Sequence, residues 1–130
     1  MWTYKQSTGA VTRADGVVIG DGYSGNGPGY NNPLSEDHID VGPIPAGQWT
    51  IGPFFDDPGG KGPIVAHLTA CKGTETFGRT GFMIHGDNAA MNHSASDGCI
   101  ILARPIRMQI ATSADKLLNV VAHYTEGLAP

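Results

Sequence analysis

The chain holds one cysteine and one histidine whose surroundings suit nucleophilic chemistry. Cys99 follows Ser96-Asp97-Gly98 and runs into the apolar Ile100-Ile101-Leu102. His85 ends the run Phe82-Met83-Ile84 and is followed by Gly86 and Asp87. The two stand 14 positions apart, and the residues between them are mostly polar or small. Only a thiolate attacks well, so a cysteine nucleophile needs a base, and a histidine titrating near neutrality is the usual one. A histidine at a strand end beside a cysteine in a loop would meet that need. Gly98 would let a substrate carbonyl approach the backbone, and the amides of Gly98 and Cys99 are candidate oxyanion donors. Asp87 is a candidate supporting group beside His85, and His93 a candidate catalytic or substrate contact.

The same residues admit other readings. His85, Asp87, His93 and Cys99 can all ligate zinc, although no C-x-x-C or H-E-x-x-H spacing accompanies them. Cys71 and Cys99 could form a disulfide in an oxidising compartment. A different cysteine hydrolase, with its histidine after the cysteine, would use His123. A binding module without catalysis would stack sugars on Trp2, Tyr23, Tyr30 and Trp49. Free cysteine is also commonly buried as a small apolar residue.

Elements must position these groups. The 130 residues fit a single domain spanning 1–130, and 40% hydrophobic content is that of a globular chain. With 19 Gly, 9 Pro and only 15% charged residues, the expectation is many turns and few long helices. The net charge of −4, without a Lys/Arg run, argues against nucleic acid as partner. No apolar stretch approaches the ~20 residues of a membrane span. The start, "MWTYKQSTGAV", carries no signal-peptide pattern, so the expectation is a protein made in the cytoplasm.

Along the chain, Trp2 and Tyr4 share a face of an extended segment. "STG" and Asp15-Gly16 turn the chain, and residues 17–19 form a short strand. Residues 20–33, "GDGYSGNGPGYNNP", read as a long exposed loop shaping one wall of a cleft. "QWTI", "IVAHLTA", "RTGFMIHGD" and "CIILA" read as strands, with a Gly/Pro/Asp loop over 56–63. Ile106 and Ile110 place one face of a short helix over 104–112, and "KLLNVVAHY" favours a final strand. The fold class is mainly β, a barrel or sandwich with one or two short helices.

The segment "MIHGDNAAMNHSASDGCIIL" resembles the active-site signature of L,D-transpeptidases, with His85-Gly86 followed by Ser96-Asp97-Gly98-Cys99 and an apolar residue. "WTYKQSTG", "GYSG", "NNP", "VGPIPAG" and "FGRTGFMIHG", in that order, extend the resemblance over roughly residues 2 to 110, toward the small L,D-transpeptidase-like effectors of type VI secretion. The chain departs from the general family at two places. Asp97 stands where a histidine is usual, and Ile101 where an arginine is usual.

The resemblance implies an L,D-transpeptidase-like β-sandwich or barrel acting on the peptidoglycan stem peptide, with no metal and no cofactor. Cys99 would attack the carbonyl joining the L-centre of the diamino acid to the terminal D-alanine, with His85 as proton carrier. Gly86, Asp87 or Ser94 would orient the histidine, and Ser96 would brace the catalytic loop or the histidine. Arg79, Arg104 or Arg107 would replace the missing cation, with Tyr23, Asp87, His93 and Asp97 as further substrate contacts. The implied setting is an antibacterial effector delivered by secretion machinery into a target cell's periplasm. An immunity protein and secretion-apparatus components would be its partners.

Overall fold

The computed structural model describes residues 1–92 and 94–122. Ten strands form one strongly curled sheet. They are β1 (Trp2–Lys5), β2 (Ala10–Thr12), β3 (Val18–Asp21), β4 (Tyr23–Ser24), β5 (Gly47–Ile51), β6 (Phe55–Asp57), β7 (Gly62–Ala70), β8 (Met83–His85), β9 (Ile100–Ile101) and β10 (Leu117–Val121). The helix α1 spans Arg104–Thr112, as the Ile106/Ile110 spacing predicts. Pro105 lies in its first turn, where a missing N–H is harmless.

Strand order is β3-β2-β1-β10-β5-β7-β8-β9-β4, with β6 added on β7. β3 and β4 end the two opposite edges of this order, yet only Gly22 separates them in the chain. The sheet must therefore curl until its edges nearly meet, giving a barrel-like form. Gly22 sits at that junction. Its N–H donates to the Gly9 carbonyl at 2.9 Å, and a Cβ there would lie 1.9 Å from the Ile101 carbonyl oxygen. No side chain fits that gap.

Alternation along the strands builds the core. Trp2, Tyr4, Trp49, Ile51, Ala66, Leu68, Phe82, Ile84, Ile100, Leu118 and Val120 point inside, and Ile106 and Ile110 of α1 pack on them. The opposite faces of β7, β8 and β9 are covered as well, by a smaller cluster of Tyr23, Val65, Met83, Cys99 and Ile101. Strands buried on both faces read as continuous apolar runs, which is the pattern of "FMIH" and "CIIL".

Several expectations need correction. Residues 20–33 are no exposed loop, since they hold the end of β3, all of β4, the 3₁₀ turn Gly27–Gly29 and the first residue of a second, Pro33–Ser35. Tyr23, Ser24, Gly25, Gly29 and Pro33 are buried there. Their backbone bonds go to neighbouring segments, which short-range propensity does not register. The loop expected over 56–63 contains most of β6 and the start of β7. The strand expected over "RTGFMIHGD" shrinks to Met83–His85. Cys71 and Cys99 are both free thiols, so the disulfide reading falls.

Candidate active site

β8 and β9 run side by side and parallel, with His85 opposite Ile101. Paired residues of parallel strands, and residues two apart on one strand, share a face. His85, Ile101 and Cys99 therefore project to the outer face of the curled sheet. Cys99 lies one strand over and two residues back from His85. With ~4.8 Å between strands and ~3.3 Å rise per residue, the two Cα atoms are about 8 Å apart on the diagonal.

His85 is 3% exposed. Its Nδ1 lies 2.7 Å from the Gly86 carbonyl oxygen. A carbonyl only accepts, so Nδ1 carries the proton and Nε2 keeps its lone pair. Nε2 is buried and has no hydrogen-bond partner among the described residues. Burial is the main force holding the imidazole pKa below its ordinary value. The Gly86 carbonyl opposes it, while Lys61 and Arg107 add to the lowering.

Cys99 is 9% exposed, and its Sγ donates to the Gly81 carbonyl at 3.7 Å. Burial pushes the thiol pKa up, against the pull of the Met83 backbone amide and Lys61. The resting pair is thus a neutral thiol and a neutral imidazole on one face. The thiol rests on the Gly81 carbonyl rather than on Nε2.

The loop carrying Cys99 is fixed from below. Ser96 is completely buried. Its Oγ accepts from the Gly25 and Gly98 amides at 2.9 and 3.1 Å and donates to the Cys99 carbonyl at 2.6 Å. Ser96 thus braces the loop and has no bond to the histidine. The Gly98 N–H is engaged by that same Oγ, so the oxyanion role expected of this amide does not fit its geometry. Ser24 Oγ donates to the Gly98 carbonyl at 2.9 Å, and Asn26 Nδ2 donates to the Ser96 carbonyl at 2.8 Å.

Two buried arginines underlie the two glycines of the site. Arg79 donates through both terminal nitrogens to the carbonyls of Glu36, Pro43, Gly42 and Asp97. A Cβ on Gly98, whose φ is +139°, would lie 2.6 Å from Arg79 Nη2. Arg107 donates to the carbonyls of Leu102, Pro63 and Ile64. A Cβ on Gly86 would lie 2.8 Å from Arg107 Nη2. Both guanidinium groups are braces, which leaves the expected role of Arg79 in binding a substrate carboxylate without free donors at those terminal nitrogens. Arg104 is exposed at the first residue of α1 and lines neither cavity of the site.

Two adjoining cavities open on this face. One of about 340 Å³ is lined by His85, Gly86, Asp87, Asn88 and Ser94. The other, about 190 Å³, is lined by Cys99, Gly98, Gly81, Thr80 and Asp40. Lys61, Ala95 and Asp97 line both, so they mark the junction between the histidine side and the cysteine side. Behind the histidine side, the Tyr23 hydroxyl donates to Asp87 Oδ1 at 2.8 Å and accepts from the Ala95 amide at 3.2 Å. Burial and the Asp87 carboxylate push the Tyr23 phenol up to about 12. Tyr23 thus ties Asp87 to the segment before the cysteine. A larger cavity, about 430 Å³, lies between Trp2, Arg13, Asp15, Gln109 and Asp115, and contains neither cysteine nor histidine. His93 and His123, the remaining histidines weighed for chemistry, lie outside the described residues.

Sequence reasoning missed Ser24, Asn26 and Lys61. The first two stand in the segment taken for an exposed loop. Lys61 stands in a Gly-rich turn with no motif around it.

These features define a small β domain bearing a buried cysteine–histidine pair at the junction of two polar cavities. Residues 19–124 match the Tlde1 domain, and the chain belongs to that family, a type VI secretion effector domain. No curated protein matches the chain. Among the described residues, no helix is long and apolar enough to cross a membrane.

Proposed function

We propose that this domain is a cysteine acyltransferase of peptidoglycan. It would act on the tetrapeptide stem at the bond between the L-centre of the diamino acid and the terminal D-alanine. The observation that carries the reading is the orphaned, buried Nε2 of His85 on the same face as Cys99. The Gly86 carbonyl fixes the tautomer that a general base requires. Membership in a type VI secretion effector family supports a secreted activity.

Cys99 Sγ turns from Gly81 toward Nε2 and gives up its proton as it attacks the carbonyl carbon. Because both groups rest neutral, proton transfer accompanies attack rather than preceding it. The tetrahedral intermediate collapses, and His85 protonates the departing D-alanine amine. The thioester left on Cys99 then meets water, giving a tripeptide stem, or a D-amino acid amine, giving exchange. Ser96, Ser24 and Arg79 hold the loop that presents the sulfur. Asp87, Asp97 and Tyr23 shape the cavities around the stem peptide. The action is in a target cell's periplasm, and an immunity protein that covers the cleft is the partner expected in the producing cell.

The test is mass spectrometry of disaccharide-tetrapeptide incubated with the wild type and with Cys99→Ala. Loss of one D-alanine, or its replacement by added D-methionine, by the wild type alone is expected. An untouched tetrapeptide with folded, reduced protein would refute the reading. Cleavage inside the stem would point to another cysteine hydrolase.

A further inference from the structure

The turn between β6 and β7 delivers a lysine to the junction of the two cavities. Lys61 lines both of them. The turn holding it is tied down: the Lys61 amide donates to Asp57 Oδ2 at 2.9 Å, the Gly60 amide to the Asp57 carbonyl at 3.0 Å, and the Ile64 amide to Asp56 Oδ1 at 3.1 Å. Ile64 sits at φ +56°, a conformation that β-branched residues rarely adopt, and Arg107 holds its carbonyl. The ammonium of Lys61 makes no salt bridge to a carboxylate among the described residues. Among the described residues, the other charged groups lining the two cavities are acidic: Asp40, Asp87 and Asp97. Arg79 is buried with both terminal nitrogens committed to backbone carbonyls, Arg107 is buried with Nε and Nη1 committed, and neither lines the cavities.

Among the described residues, a carboxylate entering these cavities meets repulsion at every charged lining group except Lys61. On the acyl-transfer reading proposed above, on which this inference rests, the leaving D-alanine and an incoming D-amino acid each carry a free carboxylate. Microscopic reversibility places them in one subsite. We infer that Lys61 is the carboxylate anchor of that shared subsite, and so sets how the thioester partitions between a D-amino acid and water. In the exchange step, the amine lone pair forms a C–N bond to the thioester carbonyl carbon and the C–S bond breaks. The amine's proton passes through His85 Nε2 to the departing Cys99 sulfur. Water needs no carboxylate anchor. Lys61 thus favours exchange over hydrolysis, with Asp40 and Asp97 disfavouring a carboxylate in any other orientation.

The experiment measures the exchange-to-hydrolysis product ratio from disaccharide-tetrapeptide, with D-methionine or D-methioninamide as acceptor. Wild type, Lys61→Met and Lys61→Arg are compared. The amide lacks the carboxylate but keeps the amine. The expected result is a fall of about tenfold in the D-methionine ratio in Lys61→Met, the ratio for D-methioninamide unchanged, and most of the D-methionine ratio kept in Lys61→Arg. Lys61 is exposed, so circular dichroism should show all three proteins folded alike. If the wild type releases D-alanine and both ratios stay the same in Lys61→Met, or fall together, this inference is overturned and the acyl-transfer reading stands. If the folded wild type releases no D-alanine, both are overturned.

Discussion

Ser96 offers a test of the site that needs no substrate. Its hydroxyl is the single group to which the amides of Gly25 and Gly98 and the carbonyl of Cys99 turn. Ser96→Ala removes all three bonds and leaves buried polar groups behind. Each neutral hydrogen bond is worth ~1 kcal/mol net, and an abandoned buried partner costs ~1–3 kcal/mol. The expected loss is therefore about 3 kcal/mol, a large part of the ~5–15 kcal/mol of a typical domain. Urea denaturation with an m-value near ~2 kcal/mol/M should show the midpoint fall by roughly 1.5 M. Ser24→Ala loses two bonds, to the Gly98 carbonyl and from the Ile44 amide, so about 2 kcal/mol is expected. Both serines hold Gly98, one by its N–H and one by its carbonyl, so the double variant should lose less than the sum. A Ser96→Ala loss below ~0.5 kcal/mol, the size of an ordinary surface change, would show that the loop is not held this way.

Three further outcomes follow from the same geometry. Iodoacetamide should alkylate Cys99 with a rate rising monotonically through the alkaline range, at a midpoint above an ordinary thiol, because burial raises its pKa; a plateau near pH 5 would instead reveal a thiolate–imidazolium pair. The lowered His85 pKa means the unfolded chain binds the proton first, so stability should fall as pH drops below the unfolded value of ~6.5 and level off below the folded one, with a slope of at most ~1.4 kcal/mol per pH unit; His85→Gln should flatten that limb in a pH series of denaturation curves. Gly98→Ala forces a Cβ against Arg79 and Phe82 at a positive φ, and should lower the melting temperature more than Gly78→Ala, where a Cβ meets nothing within 4 Å.

The pair itself was legible because its signals are local. An apolar run ending in His85-Gly86, and Ser-Asp-Gly before Cys99, mark strand ends whatever surrounds them. The helix over 104–112 was legible from two isoleucines four residues apart. Residues 20–33 misled because their glycines and asparagines are the usual marks of an exposed loop. In the folded chain, Ser24, Gly25 and Asn26 bond to the segment carrying the cysteine, 70 to 74 residues away. Such long-range bonds leave no periodicity behind. The parallel pairing of β1 with β10 was hidden for the same reason. Arg79 and Arg107 looked like candidate carboxylate ligands because an arginine's sequence context does not reveal whether carbonyls surround it.

Those two arginines bear on why the site is built from glycines. Gly86 supplies the carbonyl that fixes the histidine tautomer, and Gly98 stands directly before Cys99. Each lies against a guanidinium where a Cβ would collide. Arg107 also reaches the carbonyls of Pro63 and Ile64, on the strand that follows the Lys61 turn. One buried cation thus touches the histidine side of the site and the base of the lysine turn, while the other holds the cysteine side. The positive charge beneath the site lowers the imidazole pKa from the Arg107 side and draws the thiol down from the Arg79 side. Burial works with Arg107 on the histidine and against Arg79 on the cysteine. The first combination keeps Nε2 free to accept a proton. In the second, burial prevails and holds the thiol pKa above its ordinary value.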